Sequence, residues 1–315
     1  MTHSLIKLFA FIFLLLNTMI VSAQPGDSVY MFSYFNNNGQ DGLHLAYSHD
    51  GYSWKSLKSD SSFLKPTAGK DKLMRDPCIV RGPDGKFHMV WTVSWNEQGL
   101  GYAWSDDLLH WSEQKYIPVM DQEDSARNCW APEIFYDAED KQYMIYWATT
   151  IPGRFPPSEN SGDEKYNHRL YYTITKDFKT FSKTKLLYDH GFNVIDATIQ
   201  KNGKQYLMFL KDETRNPPQK NLRVATSKNL TSKYSTPSAA ITGNYWAEGP
   251  TVLKLGEKWI VYFDKYTLHT YGAVVSTDLL HWTDISNQIS FPKGARHGTA
   301  FVISKKEFNN LPGHQ

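Results

Sequence analysis

The chain has little cysteine, no excess of either charge and, past its first residues, no long apolar run. Among its 315 residues the only cysteines are Cys78 and Cys129. Neither has a second Cys or a His at ligand spacing, which excludes a zinc site of the usual kind. Two readings of the pair remain, a disulfide between neighbouring strand starts or two small buried hydrophobes. The formal charge of +2, from 34 Lys and Arg against 32 Asp and Glu, excludes the basic footprint that nucleic acid or an anionic membrane surface requires. Neither is expected as a partner of the mature chain. No internal stretch is low in complexity or reads as a linker, so one domain is expected.

The N-terminus is the exception. Lys7 precedes an apolar run over residues 8–16 that is short for a bilayer, and Val21-Ser22-Ala23 places small residues before Gln24. This predicts a signal peptide over 1–23, cleaved near Ala23-Gln24, and an exported (periplasmic or secreted) domain over 24–315. Losing Lys7 takes the formal charge from +2 to +1.

What the sequence does contain is repetition. Arg75-Asp76-Pro77-Cys78-Ile79-Val80 opens on an acid, turns through Pro83-Asp84-Gly85 and returns as Phe87-His88-Met89-Val90-Trp91, where large apolar residues alternate. Similar strand pairs start at Trp130, Ile195 and Ala247. A second motif is tighter: Ser or Thr, any residue, Asp or Asn, then an aromatic. Its copies are Ser48-His49-Asp50 to Trp54, Ser105-Asp106-Asp107 to Trp111, Thr175-Lys176-Asp177 to Phe181, Ser227-Lys228-Asn229 to Tyr234, and Ser276-Thr277-Asp278 to Trp282. Copies at intervals of roughly 50 to 70 residues, each covering about four strands, predict an all-β fold, a five-bladed β-propeller. The first copy lacks an opening strand. Arg296-His297-Gly298-Thr299-Ala300-Phe301-Val302-Ile303 supplies it from the other end, so the last blade is closed by both chain termini.

In such a ring the innermost strands start around one mouth. Those starts hold Asp76, Ala131-Pro132-Glu133, Asp196, Glu248 and His297, expected at equivalent positions. One acid at a strand start is often only a turn residue. Several in separate blades point to acid–base chemistry, because grouped carboxylates cannot all keep their ordinary pKa. Two opposed carboxylates with a third to tune them suit glycoside hydrolysis, and inversion requires a separation of about 6.5–9.5 Å to hold the water.

These residues resemble glycoside hydrolase family 43, the five-bladed arabinanases, arabinofuranosidases and xylosidases. The carriers are Arg75-Asp76-Pro77, Phe87-His88-Met89, Trp130-Ala131-Pro132-Glu133, Ile195-Asp196, Glu248-Gly249-Pro250 and Arg296-His297-Gly298, spread over most of the chain. The resemblance implies Asp76 as general base, Asp196 as the acid that tunes and orients, and Glu248 as general acid, its pKa raised by the charge on Asp196. It implies inversion and an arabinofuranosyl or xylosyl linkage in a poly- or oligosaccharide. Ala197 and Glu133 depart from the commoner residues and leave the sugar open. No cofactor is required; a structural calcium near His297 is a further implication, although no acidic cluster surrounds that residue in sequence.

Sugar-contacting candidates near the mouth are Trp95, Asn96, Trp130, Glu133, His168, Lys211, Trp246, Lys265, Arg296 and His297. The long connection over 152–167 is expected to cover part of the mouth. Two other readings keep the fold: a retaining fructosidase-like enzyme with Asp76 as nucleophile, and a non-catalytic glycan-binding propeller.

Overall fold

Alternation of apolar residues along short strands builds sheets that bury both faces, and five of them close into a ring. The computed structural model describes residues 27–314; the expected signal peptide lies outside the described residues. Blade 1 contains β1 (Ser28–Asn36), β2 (His44–Ser48) and β3 (Lys55–Ser56). Blade 2 is β4 (Arg75–Arg81), β5 (Phe87–Thr92), β6 (Leu100–Ser105) and β7 (Lys115–Ile117), and blade 3 is β8 (Trp130–Asp137), β9 (Gln142–Thr150), β10 (His168–Thr175) and β11 (Lys185–Tyr188). Blade 4 is β12 (Val194–Asn202), β13 (Gln205–Asp212) and β14 (Asn221–Ser227). Blade 5 is β15 (Glu248–Leu255), β16 (Lys258–Lys265), β17 (Thr270–Ser276) and β18 (Thr283–Asp284), and the chain ends with β19 (Ala295–Ser304) and a short helix. β19 is the innermost strand of blade 1, antiparallel to β1 with Met31 opposite Phe301, so the two ends share a blade as the sequence predicts.

Each junction between blades holds its own apolar core. In β5, Phe87, Met89 and Trp91 pack toward blade 1 while Val90 packs toward blade 3, which is why a strand of alternating large residues has no exposed face. Cys78 and Cys129 lie in the core between blades 2 and 3 as free, buried thiols, so of the two readings the disulfide is not formed. The second motif is a structural turn. Each copy ends a third strand, where the hydroxyl and the carboxylate take up backbone N–H groups; at Ser48, for example, Oγ accepts from Gly51 and Asp50 Oδ1 accepts from Tyr52 and Ser53 at 2.7 and 2.8 Å.

Blade 4 departs from the expected four strands. In place of an outer strand, Ser235, Ser238 and Ile241 donate to the carbonyls of Thr226, Val224 and Leu222. The donors are three residues apart and the acceptors two, so one bulged segment covers the edge without regular pairing.

Candidate active site

The ring mouth is built by one backbone device used repeatedly. At the start of β4, β8, β12 and β15 the pairing slips by one residue, as from Arg75 opposite Thr92 to Cys78 opposite Val90. The bulged residue takes a left-handed conformation at Asp76 (φ 51°), Ala131 (48°), Asp196 (51°) and Gly249 (60°). Only Gly249 could stand where it does, because a Cβ there would lie 2.4 Å from the His297 ring. Asp76 and Asp196 are therefore true equivalents. Glu248 is one residue earlier, equivalent to Arg75, and Glu133 is two residues past Ala131, opposite Tyr146 and one layer deeper in the channel.

Despite that offset, Asp76, Asp196 and Glu248 line a single cavity of about 230 Å³ with Arg75, Lys211, Glu213, Arg296 and His297. Trp95 and Trp130 wall it, their rings 5.4 Å apart and edge to face. A larger cavity of about 630 Å³ lies between the outer parts of blades 2 and 3, lined by residues such as Ile117, Tyr171 and Phe181, and it contains none of the mouth residues.

The carboxyls differ in what surrounds them. Asp76 is buried, yet the His297 Nδ1 at 3.3 Å, the Arg75 guanidinium and the Thr92 hydroxyl at 2.8 Å outweigh burial and hold it down at about 2. Asp196 accepts from the Gly249 N–H at 3.0 Å, and burial, with Glu248 and Asp76 adding to it, pushes its carboxyl up to about 6. Glu248 is gripped by two cations, Lys211 Nζ at 3.0 Å and Arg296 Nη2 at 3.3 Å. Against the expectation that Asp196 is held ionised, burial raises its carboxyl, and Glu248 is the carboxyl placed between two cations. His297 is raised to about 9; burial opposes its charge, but Asp196 and Asp76 overcome it.

Several sugar-contact expectations land in the cavity: Trp95, Trp130, Lys211, Arg296 and His297 line it. The others do not. Glu133 is buried below the floor, accepting from Thr198, Thr299 and Tyr146 at 2.9, 3.2 and 3.2 Å, because the bulge carries it past the mouth; burial raises it to about 7. His168 is 1% exposed, stacked on Tyr166 with its ring centroid 5.1 Å from that of Trp130, so it backs the wall instead of facing sugar. Lys265 is one residue past the cavity-facing position, and its ammonium lies over the Tyr245 ring at 3.9 Å. Trp246 sits beyond Tyr266 in a separate outer depression, and Asn96 is exposed at the rim outside the cavity lining.

Three further residues complete the site. Arg75 is stacked 4.2 Å from the Trp95 centroid, Glu213 pairs with Lys211 at 2.6 Å, and Asp264 accepts from Arg296 at 2.6 Å. Asp264 had a signal: it faces Glu248 across β15 and β16, and strand alternation points Asp264 and Lys265 to opposite sides. The connection over 152–167 reaches the mouth, where Tyr166 packs 4.6 Å from the Trp130 centroid. The surroundings of His297 do not fit a calcium ion. Its imidazolium is paired with Asp76, and among the described residues no group of three His, Cys, Asp or Glu side chains is placed to hold one.

A family model described as "probable glycosyl hydrolase domain", related to family 43, matches residues 27–309. An alpha-L-arabinofuranosidase of Bifidobacterium longum subsp. longum is 24% identical over 186 residues, 52% of this chain; the chain spans only 17% of that relative's length. Among solved structures, a thermostable family-43 glycoside hydrolase is 16% identical with a TM-score of 0.56, covering 73% of this chain and 82% of that one. The alpha-L-arabinofuranosidase of Lactobacillus brevis is 18% identical with a TM-score of 0.52, covering 68% and 72%. At these identities the structural likeness shows the fold.

Proposed function

The chain belongs to the glycosyl hydrolase family related to family 43, and from that premise we propose that it is an exported enzyme that hydrolyses a terminal arabinofuranosyl or xylosyl bond with inversion. The observation that carries the proposal is the trio Asp76, Asp196 and Glu248, brought from three blades to one cavity. A pure binder has no need of three carboxylates there. The cavity, at about 230 Å³, is smaller than the range of about 300–1,000 Å³ typical of drug-sized ligands, which supports a single sugar ring and hence release from a chain end.

In the mechanism, Asp76 is ionised at every working pH and oriented by Thr92 and His297, so it takes the proton of the attacking water. Glu248 gives a proton to the leaving oxygen. Asp196 shares that desolvated cavity with its carboxyl pushed up to about 6 by burial, the charge of Glu248 adding to it, so a proton is held next to Glu248. The flat faces of Trp95 and Trp130 take the apolar side of the sugar, and Arg296 and Lys211 bind its hydroxyls while they orient Glu248. The names of the relatives support arabinofuranose as the first sugar to test.

The test is a screen of aryl arabinofuranosides, xylosides and galactosides and of linear arabinan, with the first-formed anomer followed by proton magnetic resonance. Inverted arabinose or xylose is expected. A retained anomer would overturn the single-step mechanism, and binding without hydrolysis of any substrate would overturn the enzyme reading.

A further inference from the structure

A chain of alternating charges runs from the mouth to the long connection over 152–167. Lys211 Nζ lies 3.0 Å from Glu248 Oε2 and 2.6 Å from Glu213 Oε2. Glu213 Oε1 lies 2.5 Å from Lys220 Nζ, which lies 2.7 Å from Asp163 Oδ2. Arg215 ends the series on Asp163 Oδ1 at 3.2 Å and also donates its backbone N–H to the Ser161 carbonyl. The interior links are out of water, with Lys211 3% and Lys220 1% exposed, whereas Asp163 is 52% exposed. Two buried lysines are costly unless paired, and each is paired with acids on both sides.

We infer that Glu213, Lys220 and Asp163 are positioning residues that act through Lys211 on Glu248, so that seating the 152–167 connection over the mouth sets how tightly Glu248 holds its proton. The inference rests on the reading of Glu248 as proton donor for its meaning in catalysis, though not for its physics. Lys211 is shared by two carboxylates, and what Glu213 takes of its charge Glu248 does not receive. Lys220 divides itself in the same way between Glu213 and Asp163. A change at the exposed end therefore reaches the mouth with its sign preserved by simple electrostatics: a lost negative charge makes Glu248 more acidic, and a lost positive charge makes it less so.

The other charges that face Glu248 do not belong to this series. Arg296 and His297 approach it from β19, Asp196 from β12 and Asp264 from β16. Arg75 on β4 and the phenols of Tyr266 and Tyr271 complete its surroundings. All of these but Tyr266, in the turn after β16, are held by strands, whereas Asp163 belongs to the connection, which packs through two single turns, Pro156–Ser158 and Asp163–Lys165. The exposed end of the series, Asp163 with Arg215 on it, is thus the part that can be altered from outside the ring.

The test needs no substrate. The full-length protein is labelled with carbon-13 at the glutamate carboxyls, the Glu248 signal is assigned by its loss in Glu248→Gln, and its titration midpoint is followed in three variants. Glu213→Gln is expected to lower the midpoint by about one pH unit, Asp163→Asn by about 0.3 unit, and Lys220→Met to raise it by about half a unit. Lys220 is buried and its variant risks misfolding; Asp163 is at the surface, so its variant keeps the test decisive. Alternating signs support the inference. A midpoint unmoved or raised in Asp163→Asn and Glu213→Gln, or lowered by a folded Lys220→Met, overturns it. Correct shifts in a protein whose Glu248→Gln variant still hydrolyses substrate would sink the role of Glu248 and leave the charge series standing.

Discussion

The outer turns and the inner mouth of this ring use acids in opposite ways. At the third-strand turns Asp50, Asp107, Asp177 and Asp278, with the amide of Asn229 in the fourth blade, do one job, and each accepts from backbone N–H groups of its own turn. At the mouth the bulge is repeated, but its side chains are Asp76, Ala131, Asp196 and Gly249. The same backbone carries different chemistry. Histidine makes the contrast sharper: His110 and His281 stand on Asp107 and Asp278 at 88% exposure, whereas His297 faces Asp76 at 9%. A residue repeated around the ring serves the fold, and a residue that varies on a repeated backbone serves the site.

The strongest way to break this contrast is substitution at both places. Asp76→Asn and Glu248→Gln should each cut turnover by about 10²- to 10⁴-fold with substrate binding kept, measured by kcat and by calorimetric titration. Asp107→Asn should leave both unchanged.

Glu133 tests whether a mouth acid can be a cost to the fold. Its carboxyl is buried and raised to about 7, well above the ordinary 4.5, so the folded state holds a proton that the unfolded chain has lost between those values. Stability from this group therefore falls as pH rises from 4.5 to 7. Glu133→Gln, which keeps the hydroxyl contacts by rotation of Thr198 and Thr299, should stabilise the protein at pH 8 by about 3 kcal/mol, with the gap closing near pH 4.5. Urea titrations at the two pH values check this.

His297 should show itself in the alkaline limb. Its folded pKa is raised from 6.5 to about 9, so its contribution to stability is complete below 6.5 and lost as pH rises through about 9. Above that point Asp76 and Asp196 lose their shared cation, and turnover should fall by about tenfold per pH unit. The smallest effect belongs to the outer turns. Asp107→Ala should cost about 1 kcal/mol or less, because its N–H partners can turn to water, and a thermal melt without loss of activity would show it.

Much of the ring was legible because its signals are local. The alternation in Phe87, Met89 and Trp91, each copy of the turn motif and the displaced strand containing His297 are each written in a few consecutive residues. The errors come from where each acid stands relative to a bulge that is the same in blades 2 to 5. Glu133 is two residues past the bulged Ala131 and so lies below the floor, and Glu248 is one residue before Gly249 and so matches Arg75. A single step of strand parity exchanged Asp264 for Lys265. Electrostatic surroundings were the least readable: the two cations on Glu248, Lys211 and Arg296, come from distant strands.

β19 carries Arg296 and His297 and also supplies the strand that shuts the circle against β1. During synthesis, four sheets can emerge and begin to pack while the pocket still lacks both cations. The pocket must then be completed abruptly, when residue 304 is free to slot home. A nascent chain stalled before that point would be an open arc with its first sheet unfinished and its pocket without Arg296 and His297.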